Sequence, residues 1–171
     1  MLPEEPAIAI EPLERHHLPA ALAIQAQAYP PFLVEDERVF LGRMGMTSSF
    51  CLAAMREATL VGYILAHGWH HASPPPLGAV LAEAEPPEIL FIHDLAVATA
   101  GRGLKVGEAL VERAFAMARA TGLDRAELVA VEGAATYWRR LGFADGTATD
   151  AIREALRKYG ASARWMTRAI A

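Results

Sequence analysis

The sequence predicts an α/β domain of the α+β type, built on a mixed, mostly antiparallel sheet of six or seven strands with helices on both faces. Three observations carry that expectation. Two apolar runs, SSFCLAAMR and LVGYILAHGW, meet at REAT, which reads as an antiparallel hairpin. Further on, EILFIHDLAV and AELVAV flank a helical pattern, a strand, helix, strand unit that adds a parallel pair to the sheet. Finally, 171 residues of which 53% are apolar suffice for one compact core and are short for two, so 1–171 reads as a single domain.

The first element is a short strand over Ala7 to Ile10, followed by a helix over Leu18 to Ala28. The two prolines of AYPPFLVED break that helix, since proline lacks the amide donor and clashes with the preceding turn. Glu35 to Met44 reads as a second helix, with Glu35, Asp36 and Glu37 suited to the positive end of its dipole. After the hairpin comes HHASPPPLGAVLAEAEPP, whose five prolines argue against regular structure; connections of that length are usually functional or disordered. The strand EILFIHDLAV then leads through a glycine turn to a helix on which Val106, Ala109, Leu110, Ala114 and Met117 share one face. Gly122 ends it. AELVAV is another strand, AATYWRRLG a short helix closed by Gly142 at C′, DAIREALRKYG a further helix and ARWMTRAI the last strand.

Composition narrows the function. A formal charge of −4 with scattered Lys and Arg lacks the basic footprint that phosphate backbones demand, so no nucleic-acid partner is expected. Cys51, the one cysteine, sits in an apolar run and reads as a packed core residue, with no sign of an oxidising compartment. The start MLPEEPAIAI has acidic residues where a secretory signal needs positive charge. No apolar run nears the ~20 residues of a membrane span, so a cytoplasmic protein with no membrane partner is expected.

The stretch FIHDLAVATAGRGLKVGEAL is where chemistry concentrates. A strand that opens into glycines and then a helix presents backbone N–H groups and a positive dipole end to an anion, and this helix starts with no acidic or hydroxyl cap. A P-loop would need lysine and a hydroxyl after its last glycine, but Gly107 is followed by Glu108. A dinucleotide-binding oxidoreductase turn has Gly101, Gly103 and Gly107 near its spacing, with one residue too many, and Glu127 placed as a ribose ligand. Only about 60 residues follow, too few for the repeated units of that fold.

Residues 91 to 143 resemble the GNAT superfamily of N-acetyltransferases, whose signature is a strand, then Arg/Gln-x-x-Gly-x-Gly/Ala, then a helix. Leu95, Ala96 and Val97 end the strand, and Arg102, Gly103, Leu104, Lys105, Val106 and Gly107 occupy the motif, with Lys105 at the first motif glycine. AATYWRRLGF resembles the family's Ala-x-x-Phe-Tyr-x-x-x-Gly-Phe through Ala134, Trp138, Gly142 and Phe143, with Tyr137 standing for the Phe. The resemblance implies acetyl-CoA as co-substrate, its diphosphate on the amides from Arg102 to Gly107 and its pantetheine arm pairing with Leu95 to Val97 beside Trp138. It also accounts for the missing cap, because a side chain there would compete with the phosphate. A catalytically silent acyl-CoA-binding module is the competing reading.

Acetyl transfer to an amine needs a neutral nucleophile, a polarised thioester carbonyl and, where thiolate release is assisted, a proton donor. By resemblance, a strand N–H at Leu95 or Val97 points at the thioester oxygen. Ordinary alternation puts Phe91, His93 and Leu95 on one face and Ile92 and Asp94 on the other. His93 is the candidate general base, since an imidazole with an ordinary pKa of about 6.5 can take an ammonium proton at neutral pH; a histidine held by core hydrogen bonds is the alternative. Asp94 reads as structural. The family's usual proton donor is a tyrosine where this chain has Trp138, and indole cannot donate a proton at neutral pH, so Tyr137 is the candidate acid although it points about 100° away on a helix. A thiolate leaves tolerably unaided, its thiol having a pKa of about 8.5. Val131 stands where many members have asparagine.

The acceptor, a small-molecule amine or a peptide, is expected to meet Tyr29, Pro30, Pro31 and Phe32, with Glu35 and Asp36 supplying charge. His67, His70 and His71 with Trp69 invite a metal reading because His67 and His71 would share a strand face, but no carboxylate or cysteine cluster has ligand spacing, so no metal is expected. Family members are often dimers, and the apolar tail from Trp165 to Ile170 permits a homodimer.

Overall fold

The computed structural model describes residues 2–4 and 6–171; Met1 and Glu5, in the acidic N-terminal stretch, lie outside them. Seven strands are present, β1 (Ile8–Pro12), β2 (Leu52–Arg56), β3 (Thr59–Trp69), β4 (Ile89–Val97), β5 (Arg125–Ala130), β6 (Ala144–Asp145) and β7 (Arg164–Ala169). They form one sheet in the order β1-β2-β3-β4-β5-β7-β6, with every neighbouring pair antiparallel except β4 and β5. The helices are α1 (Leu18–Ala28), α2 (Glu37–Met44), α3 (Val106–Ala120), α4 (Ala135–Arg140) and α5 (Asp150–Leu156). The mixed sheet and the irregular connection from 70 to 88 match the sequence reading.

Apolar side chains hold helices to both faces. On one, Leu110, Ala114 and Phe115 of α3 pack against Ile64, Ile92 and Leu128. On the other, Leu18 and Ile24 of α1 and Phe40 of α2 meet Tyr63 and Leu65, while Ile152 of α5 joins Trp69, Phe91 and Trp165. Burying each large apolar side chain contributes about 1.5–3 kcal/mol, which is what fixes the layers. Trp165, Met166 and Ile170, from the apolar tail that permitted a homodimer, are buried within the chain. Cys51 is buried as expected.

Two features depart from the sequence reading and shape the site. The second helix begins at Glu37, because Asp36 caps it, Oδ1 accepting from the Val39 N–H at 3.2 Å; Glu35 lies before the cap and turns inward, 7% exposed. In β4, Ile92 faces Ala66 and Asp94 faces Leu65 across β3, so His93 is the extra residue of a β-bulge. The bulge resets the alternation. Phe91, His93, Asp94 and Ala96 all turn to the α1 and α2 side, while Leu95 and Val97 pack toward α3. The strict alternation that paired His93 with Leu95 and opposed it to Asp94 is therefore corrected.

Candidate active site

The bulge coincides with the point where two parallel strands part. Leu90–Ile92 pair with Ala126–Leu128, and beyond Ile92 the ladder stops. The Ala98 N–H donates to the Val61 carbonyl on the β3 side at 2.8 Å, so by strand alternation the amides of Leu95 and Val97 face the opening. A cavity of about 120 Å³ fills the gap, lined by His93, Asp94, Leu95, Val129, Val131 and Tyr137 among others. Trp138 also borders it but is largely core, edge-on to Tyr137 and Phe143 at ring separations of 5.3 and 5.4 Å.

At the α3 end the wall is made of backbone. Lys105 occupies the residue before α3 with φ 56° and ψ 34°, a left-handed conformation that costs an L-residue about 1–2 kcal/mol. Its side chain is exposed, so it does not fill the turn. Together with Gly103 at φ 79°, it bends the chain so that the first amides of α3 open outward. The N–H groups of Val106, Gly107 and Glu108 have no intrahelical acceptor and no side chain caps them. A Cβ on Gly107 would collide with the Tyr137 hydroxyl, which therefore stands over this helix start. Burial raises the pKa of that hydroxyl, and Glu108 raises it further.

On the α1 and α2 side the wall is made of side chains. Nε2 of His93 donates to Glu35 Oε1, with the two side chains only 2% and 5% exposed. Glu35 is held on every side: Oε2 accepts from the Gly78 N–H at 2.7 Å, and both ends of the Gln25 amide grip its main chain at 2.8 and 2.9 Å. Burial alone would raise the Glu35 pKa, but the His93 hydrogen bond and charge, the Gly78 N–H and Arg43 outweigh it, so the carboxyl is lowered and ionised at neutral pH. Asp94 is raised, by burial first, although Tyr63 donates to its Oδ2 at 2.6 Å. The Tyr29 hydroxyl donates to the Leu95 carbonyl at 2.8 Å, and Tyr159 donates to the Pro75 carbonyl at 2.6 Å, tying the 70–88 connection over the cavity.

Several sequence-level expectations find other partners. Glu35 and Asp36 are engaged with His93 and the α2 start, so neither is a free charge for an acceptor. Burial and Arg43 pull His67 down to about 3; its Nδ1 donates to the Gly68 carbonyl at 2.9 Å and its Nε2 accepts from Arg43 at 2.6 Å. His71 meets Glu127 at 2.7 Å, so His67 and His71 share no ligand site. Glu127 is fully buried and also takes the Ala72 N–H and Arg125, which leaves it unavailable as a ribose ligand. Glu11, His16 and His17 bring ligand atoms within 4.8 Å, but His17 Nδ1 accepts from the Glu14 N–H, so Nε2 carries the proton and faces Glu11. Among the described residues no helix is long and apolar enough to cross a membrane.

The residues that sequence reasoning missed are Gln25, Arg43, Tyr63 and the true role of Glu35. Their signal is polarity where the pattern is otherwise apolar: Tyr63 and His67 lie in the buried run of β3, and Gln25 and Arg43 lie on the inward faces of their helices.

Residues 18–143 match the model of the acetyltransferase (GNAT) family. No curated protein matches the chain by sequence. Among solved structures, Ard1 from Thermoplasma volcanium superposes with a TM-score of 0.69 at 14% identity, over 96% of this chain and 99% of that one. Naa50 from Arabidopsis thaliana, in complex with the bisubstrate analogue CoA-Ac-MVNAL, gives 0.70 at 12% identity, over 95% and 98%. The ribosomal-protein-S18-alanine N-acetyltransferase from Escherichia coli gives 0.67 at 17% identity, over 96% and 94%.

Proposed function

Because this chain belongs to the GNAT acetyltransferase family, we propose that it moves an acetyl group from acetyl-CoA to the primary amine of a small molecule or peptide, by direct attack in a ternary complex. The observation that carries this reading is the pairing of uncapped α3 amides with the gap between β4 and β5, linked by Tyr137, which lines the gap and meets Gly107. The fit of the carrier rests on groups of this chain: three orphan amides at a positive helix end and strand amides facing a cavity. Residues from Arg102 to Gly107 would seat its diphosphate, and Leu95, Ala96 and Val97 its pantetheine arm, with Trp138 forming the floor. When bound, acetyl-CoA supplies the activated acyl group.

The protein's own part is orientation and proton handling. The Leu95 or Val97 N–H polarises the thioester oxygen, a donor fixed by the strand before the reaction begins. His93 takes a proton from the acceptor ammonium, so that the neutral amine forms the C–N bond as the C–S bond breaks. Tyr137 gives a proton to the departing sulfur and regains one, through water, from the nitrogen that has just formed the amide bond. Tyr137 lines the same cavity as His93 and Leu95, which supports the assignment. No lysine or arginine among the described residues lines the cavity, which suits a cationic acceptor.

A silent acyl-CoA-binding module is the second reading, favoured by Trp138 at the family's tyrosine position and by the burial of His93. Release of free thiol from acetyl-CoA across a panel of amines and peptides separates the two. Amine-dependent thiol supports acetyl transfer; CoA binding with no thiol from any acceptor leaves the silent module.

A further inference from the structure

Two buried groups 58 residues apart in sequence, Glu35 and His93, are joined with more supports than a packing contact needs. Glu35 Oε1 faces the imidazole, Oε2 is held by the Gly78 N–H, and the Glu35 main chain is clamped at both its N–H and its carbonyl by the buried Gln25 amide. Rotating this carboxylate away from His93 also breaks the Gly78 bond, while the two Gln25 bonds fix the main chain that carries it. Since an ionised carboxylate only accepts, the imidazole nitrogen facing it must carry a proton. The opposite nitrogen, Nδ1, is buried and has no hydrogen-bond partner. A buried polar atom left unpaired costs about 1–3 kcal/mol, and a neutral imidazole meets that cost here only because Glu35 has fixed which nitrogen stays bare.

We infer that Glu35 is a positioning residue which locks His93 in the tautomer protonated on Nε2 and thereby leaves Nδ1 as the imidazole nitrogen able to take a proton. The inference rests on the acetyltransfer reading for its catalytic consequence, but not for the tautomer itself. In the step that follows, the acceptor N–H proton passes to Nδ1, the imidazolium keeps its Nε2–H on Glu35, and the carboxylate stays ionised throughout. The bulge is what permits this, because it turns His93 to the side on which the α1–α2 connection carries Glu35. The groups that set the local field are Glu35 and Arg43 at the α2 end, Tyr29 after α1, Tyr63 and His67 on β3, Asp94 on β4 and Tyr159 near the C-terminus.

The test begins with the unliganded protein. Nitrogen-15 NMR of the imidazoles, with His93 assigned by its loss in His93→Gln, reads the tautomer directly above the pH of protonation. The expected spectrum has His93 Nε2 protonated and Nδ1 bare, and Glu35→Ala shifts both signals toward a tautomer average. Glu35→Gln offers a carbonyl acceptor without charge: it keeps the tautomer, lowers kcat about 10–100-fold and leaves the KM for acetyl-CoA unchanged. A wild-type His93 protonated on Nδ1 overturns the inference, as does a Glu35→Gln variant that keeps the wild-type kcat. If Glu35→Ala fails to fold, the wild-type spectrum and the Gln variant decide the matter. The stated tautomer in a protein that releases thiol with no acceptor overturns the acetyltransfer reading alone and upholds the locked pair.

Discussion

The two walls of the cavity are built on opposite physical plans. The α3 wall is main chain, the amides of Val106, Gly107 and Glu108 without acceptors and a left-handed Lys105, with the Tyr137 hydroxyl set over them. The α1–α2 wall is side chain: Glu35, His93, Asp94, Tyr63, Arg43 and His67, all drawn from distant parts of the chain and shut away from water. The first wall suits a ligand recognised by a fixed anion. The second suits proton handling, because charges in a low-dielectric interior respond strongly to each other and to pH. On the proposed reading, this fold separates holding a carrier from activating its partner, and the two can be broken independently.

The sharpest separation comes from His93→Ala. It is expected to lower kcat about 100–1000-fold at neutral pH, with the deficit shrinking as pH rises and the acceptor deprotonates unaided, while the CoA dissociation constant stays within twofold. Steady-state rates from pH 6 to 9, alongside a direct binding measurement, check both halves; an unchanged pH profile removes His93 from the mechanism.

The charged wall also carries a pH dependence of stability that the backbone wall lacks. Folded His67 is pulled from 6.5 to about 3 by burial and by Arg43, whereas the unfolded chain takes its proton at the ordinary value. Between those two pH values the unfolded state binds more protons, so the stabilisation present above pH 6.5 is lost as the pH falls through that window. His67→Gln is expected to flatten this limb, with the wild type losing on the order of 1 kcal/mol more per pH unit. Urea unfolding at several values from pH 7 to 4 reads it.

Smaller effects probe the backbone wall. Gly107→Ala pushes a methyl group at the Tyr137 hydroxyl and toward the diphosphate site, and is expected to weaken CoA about tenfold, or about 1.4 kcal/mol, with kcat at saturation much less affected. Tyr137→Phe should lower kcat less than tenfold, since a thiolate leaves tolerably on its own. Lys105→Gly relieves a left-handed residue at the cost of unfolded-chain entropy, so urea unfolding should place it within about 1 kcal/mol of wild type and calorimetry within threefold in CoA affinity.

The same division explains what could be read from the sequence. The backbone wall is encoded locally: a strand, glycines, an uncapped helix start and the family motif lie within twenty residues, so the turn and α3 were legible. So were the α1 limits, Leu18 to Ala28, because the proline pair that ends the helix is unambiguous. The charged wall was not legible. Glu35 reads as a helix-dipole residue because Asp36, one position later, takes the cap that would have revealed it. The bulge at His93 leaves no mark in an apolar run, since one extra residue preserves the appearance of alternation while reversing every side chain after it. β6, two residues long, is too short for any periodicity to announce it.

Calorimetric titration of the unmodified protein with CoA and with pantetheine, which shares the thiol arm but carries no diphosphate, tests most directly whether the orphan amides at the start of α3 anchor the carrier. The account predicts a measurable CoA affinity and at least a hundredfold weaker pantetheine, the weight of two or more charge-assisted hydrogen bonds. Equal affinity for the two, or no heat with CoA at all, would contradict it.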